Sequence, residues 1–140
     1  MTTNPIPSTI RATLVPESGR MSFLPRHFGR LMMQVESEVY TQMRELCEQY
    51  SGGYWHYVTL SNGGVFLKPA DFEPLSIAVH SNDYRGTMSA EAAGITVTLF
   101  ALSHLAFRYP DEEQLSDRFH QLREFASEHA EARDIFAAID

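Results

Sequence analysis

The 140 residues contain one cysteine, Cys47. The chain therefore cannot close a disulfide on itself or assemble a zinc knuckle from paired cysteines, and it suits a reducing compartment. Long hydrophobic runs are also missing. No stretch of about 18 uninterrupted apolar residues is available to span a bilayer. The segment Met1 to Arg11 lacks the charged-then-apolar order of a signal peptide, so the expected location is the cytosol, away from membranes. Glycine-rich phosphate loops are absent too: Gly52 and Gly53 follow a helical segment instead of opening one, and Gly63 and Gly64 lie in a turn. Between residues 51 and 110 only Lys68, Arg85 and Arg108 are basic, a poor surface for tracking phosphates. Neither nucleotide nor nucleic acid is an expected ligand.

What is plentiful is apolar side chain, 44% of the residues, enough for one core of ordinary size. One domain over residues 1–140 is expected, with 1–12 as a flexible arm. The net charge of -7 is unevenly spread. Residues 1–30 set four arginines against Glu17, whereas residues 111–140 set nine acids against three arginines, so nearly all the excess acid lies at the C-terminal end. Such a face repels nucleic acid and attracts basic protein surfaces, although a solvated acidic helix has the same composition.

Periodicity divides the chain into helix, strands and helices. Thr9 to Val15 alternates as a short edge strand or ordered arm. Leu31 to Tyr50 repeats apolar residues at three and four, one stripe of a helix that Gly52 and Gly53 terminate. Tyr54 to Leu60 and Val65 to Leu67 flank Ser61-Asn62-Gly63-Gly64, a hairpin pattern. Leu75 to Val79 and Tyr84 to Thr87 continue an antiparallel meander. Ser89 is an N-cap for a helix from Ala90 to about Tyr109, apolar on nearly all sides and stopped by Pro110. Asp111 opens another helix, and Ala132 to Ile139 forms the last. The expected fold is α+β: a small antiparallel sheet of three to four strands packed against about four helices.

No constellation of reactive residues stands out. The six histidines, His27, His56, His80, His104, His120 and His129, form no HExxH pair and no close cluster with cysteine. Neither a metal nor any other cofactor is expected. A hydrolase using Cys47 with a histidine is the alternative, set against the place of Cys47 on an apolar helical stripe, where thiols are inert. Ser103-His104 lacks the glycine-flanked elbow that presents a serine nucleophile. The aromatic run Tyr54-Trp55-His56-Tyr57 fits core packing with hydrogen-bonded tips better than a base-stacking platform.

Several segments taken together are specific. Phe23-Leu24-Pro25 with Phe28-Gly29, the helix through Val39-Tyr40 to Leu46-Cys47, and Gly53-Tyr54-Trp55-His56-Tyr57 make up the first half. Tyr84-Arg85-Gly86, Ala92-Ala93-Gly94-Ile95, Thr98-Leu99-Phe100-Ala101-Leu102 and the ending Ala137-Ala138-Ile139-Asp140 make up the second. From about Thr13 onward the chain resembles the ArdB/KlcA family of antirestriction proteins. The resemblance implies a non-enzymatic, cytoplasmic inhibitor of type I restriction, carried by mobile elements to protect incoming plasmid or phage DNA. It implies a type I restriction enzyme complex, or a host factor that the complex needs, as partner.

Extended DNA mimicry fails by count. B-form DNA carries one charge per roughly 1.7 Å, so imitating about ten base pairs takes on the order of 20 exposed negatives. The chain has 18 acids and 11 bases in all. At its end, Asp140 and the terminal carboxylate lie where the dipole of the last helix disfavours anions. Local inconsistency of this kind points mildly to function. Asp140, with Asp134 and Glu131, is the expected partner-binding set.

Overall fold

In the computed structural model, which describes residues 9–70 and 73–140, two small antiparallel sheets and five α-helices share one core. The order is β1 (Ala12–Leu14), α1 (Arg20–Phe28), α2 (Met32–Leu46), β2 (Trp55–Leu60), β3 (Val65–Pro69), β4 (Leu75–Val79), β5 (Tyr84–Met88), α3 (Ala90–Arg108), α4 (Glu113–Ser127) and α5 (Ala132–Ile139). Strands β1, β2 and β3 form one sheet in that order, and β4 with β5 forms the other. The α+β expectation holds, with the strands divided between two sheets instead of joined in one meander. The division falls between Pro69 and Pro74, two residues without an N–H to extend a ladder.

Hairpin β2–β3 closes as its turn residues suggest. Asn62 Oδ1 accepts the Gly64 N–H at 3.0 Å, and the Leu60 N–H donates to the Gly64 carbonyl at 2.8 Å. Gly63 supplies the φ of +95° that the turn requires. On the far side of β2, Thr13 pairs with Thr59. Residues 1–8 of the expected arm lie outside the described residues. Arg11 is tied by its carbonyl to the Ser61 N–H and by its own N–H to the Ser61 hydroxyl.

Helix α3 is the centre. From Ala92 to Leu99 every residue is buried. Its small residues bring it onto the backbone of β3: a Cβ at Gly94 would stand 2.4 Å from the Leu67 carbonyl oxygen. One turn later the Thr98 hydroxyl accepts the Leu67 N–H at 3.2 Å. Gly94 and Thr98, four apart on one face, thus seal the outer edge of β3, which would otherwise present unpaired backbone groups. By length and apolar composition α3 would suffice to cross a bilayer, which corrects the reading that no such segment exists. Since 67% of that segment is buried inside the fold, it is the core helix.

Helix α1 is absent from the periodicity reading because Pro25 lies inside it. Proline removes one helical donor, and the carbonyl deprived of it belongs to Met21, on the water-facing side where the side chain is 94% exposed. Phe23, Leu24 and Phe28 form the buried face. Gly29, at φ +53°, and a single 3-10 turn over Gly29–Leu31 then bend the chain into α2.

Candidate functional site

The C-terminal third carries the acid excess, and the structure shows where each carboxylate goes. Glu112 pairs with Arg30, just beyond α1. Glu124 accepts the Asn62 amide at 3.0 Å, which ties α4 to the β2–β3 turn. Glu128 accepts the Ile10 N–H at 3.3 Å. Glu131 accepts both the N–H and the hydroxyl of Ser89, the residue that caps α3 by accepting the Ala92 N–H. Asp134 accepts the Tyr84 hydroxyl at 2.9 Å. Burial and this bond to Asp134 push the Tyr84 phenol up to about 12. Five of the nine acids are therefore fasteners between elements. Asp111, Glu113, Asp117 and Asp140 make no side-chain hydrogen bond or ion pair with other described residues.

The three residues expected to bind a partner are thus placed differently. Glu131 and Asp134 turn inward, to the start of α3 and to β5 respectively. Asp140 is exposed and lines a cavity of about 200 Å3 with Phe100, His104, Phe119 and Arg123 among its neighbours. The carbonyls at the end of α5 are served from elsewhere: Asn82 in the β4–β5 turn donates its amide to Ala137 and Ala138 at 3.3 and 2.8 Å. A neutral donor thus meets the negative helix end, and the Asp140 side chain adds nothing to that cap.

Around α3's start further donors are answered by side chains. Glu73 accepts the Ala90 N–H at 2.8 Å. His129 takes the Glu131 N–H on Nδ1 at 3.0 Å, so its proton sits on Nε2 and is donated to Glu91 at 2.7 Å. Negative groups at the first turn of α3 also suit its dipole.

Cys47 is fully buried, with its thiol 3.9 Å from Gln49 Oε1. No histidine is among its hydrogen-bond partners in the described residues. Trp55 and Tyr57 of the aromatic run are buried, with tips bonded to the Tyr50 hydroxyl at 3.0 Å and to Glu36 at 3.3 Å. Phe23 stacks on Tyr57 at 4.5 Å, and the Arg20 guanidinium lies 4.4 Å from the ring centres of both Tyr54 and Tyr57. Protein groups thus occupy the faces on which bases would stack. Burial, with Glu36 second, raises Tyr40 and Tyr57 above the ordinary phenol range. Burial lowers His27, helped by Arg118 and Arg26. Among the described residues no group of three metal-ligating side chains is gathered in one place.

The periodicity reading left one surface unremarked. Where α3 leaves the core, Phe107 is 91% exposed and forms, with Ser103, Ala106, Ser116, Phe119 and His120, a second cavity of about 300 Å3 between α3 and α4. It shares Ser103 and Phe119 with the cavity at Asp140, so the two are neighbours. A signal was available: Phe100, Ser103, His104 and Phe107 lie three and four apart, a second stripe on a helix already apolar on its first.

Comparison with known proteins agrees with the resemblance noted above. The sequence pattern of the family described as "Antirestriction protein" matches residues 48–140. An antirestriction protein KlcA from Escherichia coli is 51% identical over 135 residues, covering 94% of this chain and 95% of that one. A second KlcA from the same species is 47% identical over 146 residues, covering both chains completely. A solved structure matches with a TM-score of 0.87 at 49% identity over 100% of both chains. It was described as showing that KlcA and ArdB have a novel fold, with antirestriction activity against type I DNA restriction systems in vivo but not in vitro. This chain belongs to the antirestriction protein family.

Proposed function

We propose that the chain relieves type I restriction in the cytosol, protecting incoming plasmid or phage DNA, and does so by contacting a protein and not by extended imitation of DNA. The observation that carries this reading is the match over the whole chain to a structure whose proteins act against type I systems in vivo. The disposition of acids supports its second half. With Glu112, Glu124, Glu128, Glu131 and Asp134 engaged, the C-terminal third offers four outward carboxylates, against roughly 20 needed for ten base pairs. The partner is the type I restriction complex or a host factor on which it depends. The activity of the relatives in cells but not with purified components favours a contact that needs the cellular setting.

Asp140 belongs to the proposed contact, because it is exposed and makes no fold-holding bond with described residues. Glu131 and Asp134 support it by fixing α5. The test is plating of unmodified phage on a type I restricting host. Expression of the chain raises plating efficiency; Asp140→Asn lowers that relief while thermal stability is unchanged or slightly higher. Equal plating with and without the chain would refute the function, and full relief by Asp140→Asn would remove that residue from the contact.

A further inference from the structure

The three-stranded sheet has two outer edges, and they are treated differently. Helix α3 seals β3 through Gly94 and Thr98. At the other edge β1 is exposed at each of its residues, Ala12, Thr13 and Leu14, the last at 54%. Its bonds to β2 settle where its backbone groups point. The Val15 N–H donates to the Tyr57 carbonyl at 2.9 Å and the Arg11 carbonyl accepts the Ser61 N–H at 2.9 Å, so Arg11, Thr13 and Val15 turn towards β2. By strand alternation the N–H and C=O groups of Ala12 and Leu14 turn outward, and no bond from them to a described residue closes that edge. The strand carries no charge, proline or bulge of the kind that blunts an edge.

We infer that this edge pairs with the β1 edge of a second copy, antiparallel, joining two three-stranded sheets into one of six strands. Self-complementarity selects that occupant. A two-fold axis at Thr13 sets Ala12 opposite Leu14 of the second copy and Leu14 opposite its Ala12, so every outward N–H meets an outward C=O. The same axis packs the large Leu14 against the small Ala12 on one face of the joined sheet. On the other face it sets Thr13 against Thr13, a non-hydrogen-bonded pair with Cα atoms about 4.5 Å apart. Arg11 precedes the strand and Glu17 follows it, so antiparallel pairing brings opposite charges together at both ends. The ladder cannot lengthen. Glu128 already holds the Ile10 N–H at 3.3 Å, and Pro16 has no N–H to offer. With β3 covered by α3, the assembly closes at two copies, and an interface this short associates weakly and with concentration.

The pairing goes beyond the proposed function, and neither depends on the other. It is tested on the full chain in two ways. Sedimentation from about 10 µM to about 1 mM shows a shift from monomer towards dimer mass. Ala12→Pro removes an outward donor while leaving every bond to β2 in place, and Leu14→Lys puts a charge on the edge. Each weakens association by roughly tenfold or more, with thermal unfolding confirming that the fold is kept. The second test is covalent. Under mild oxidation Thr13→Cys closes a disulfide between copies, because the two-fold pair holds its Cα atoms within disulfide range. The unaltered chain, whose one thiol is buried, gives no such product. Asp117→Cys, on the outward side of α4, cross-links at least about tenfold more slowly than Thr13→Cys. Monomer mass at every concentration, association indifferent to both Ala12→Pro and Leu14→Lys, or equal cross-linking through positions 13 and 117 would each overturn the inference.

Discussion

The inner and outer sides of α4 and α5 carry the same kind of side chain and use it differently. Inward, Glu131 and Asp134 hold Ser89 and Tyr84, and Glu124 and Glu128 hold the β2–β3 turn and the N–H of Ile10. Outward, Asp111, Glu113 and Asp117 meet water. The difference teaches that an acidic segment is not in itself an acidic ligand surface. A carboxylate that accepts a backbone or hydroxyl proton across an element boundary is part of the fold, and its charge is answered locally.

The comparison breaks most visibly at Glu131. Replacing it with Ala strands the Ser89 N–H and hydroxyl at the start of the core helix. The expected cost is about 2 kcal/mol, a fall of roughly 5–10 °C in Tm, read by thermal unfolding. A change near zero would place Glu131 with the outward set.

A smaller effect is expected at the Tyr84–Asp134 bond. The Tyr84 phenol is raised from 10 to about 12 in the folded state, so its contribution is fully present below pH 10 and is lost as pH rises through about 12. Tyr84→Phe therefore makes the loss of stability between pH 10 and pH 12 shallower and removes one late step from the tyrosinate absorbance titration. An unchanged titration would mean that another tyrosine supplies that step. Asp134→Asn keeps an acceptor for the hydroxyl and lowers the Tyr84 value towards the ordinary phenol range.

The smallest effect is expected outside. Asp111→Asn, Glu113→Gln and Asp117→Asn together change stability by no more than about 0.5 kcal/mol, because none of the three holds another described element.

Local chemistry was readable in the sequence, and long-range pairing was not. Ser89 as the cap of α3 and the turn at Ser61 to Gly64 each depend on residues within a few positions, and each is found as expected. The stripe of α2 is buried as expected, but the helix ends at Leu46, with Cys47 already in extended backbone, short of Tyr50 and of the Gly52-Gly53 stop that periodicity suggested. Helix α1 escaped because Pro25 argues against a helix unless the solvent exposure of its first turn is known. The two-sheet arrangement escaped because periodicity fixes which face a strand buries and not which strand lies beside it. The inward acids escaped for a related reason. Glu131 meets Ser89 across 42 positions and Glu128 meets Ile10 across 118, so composition showed their charge and hid their partners. Phe107 at the end of α3 continues the apolar character of its buried part, and only the placement of α4 reveals that it is left uncovered.

The central claim, that the outward acids do not act as a DNA surrogate, is tested most directly in cells. The variant carrying Asp111→Asn, Glu113→Gln and Asp117→Asn is expressed in a type I restricting host, and the plating efficiency of unmodified phage is compared with that given by the unaltered chain at equal expression. The account predicts equal relief by the two proteins. Loss of relief by the neutralised variant, with its fold and stability intact, would contradict it.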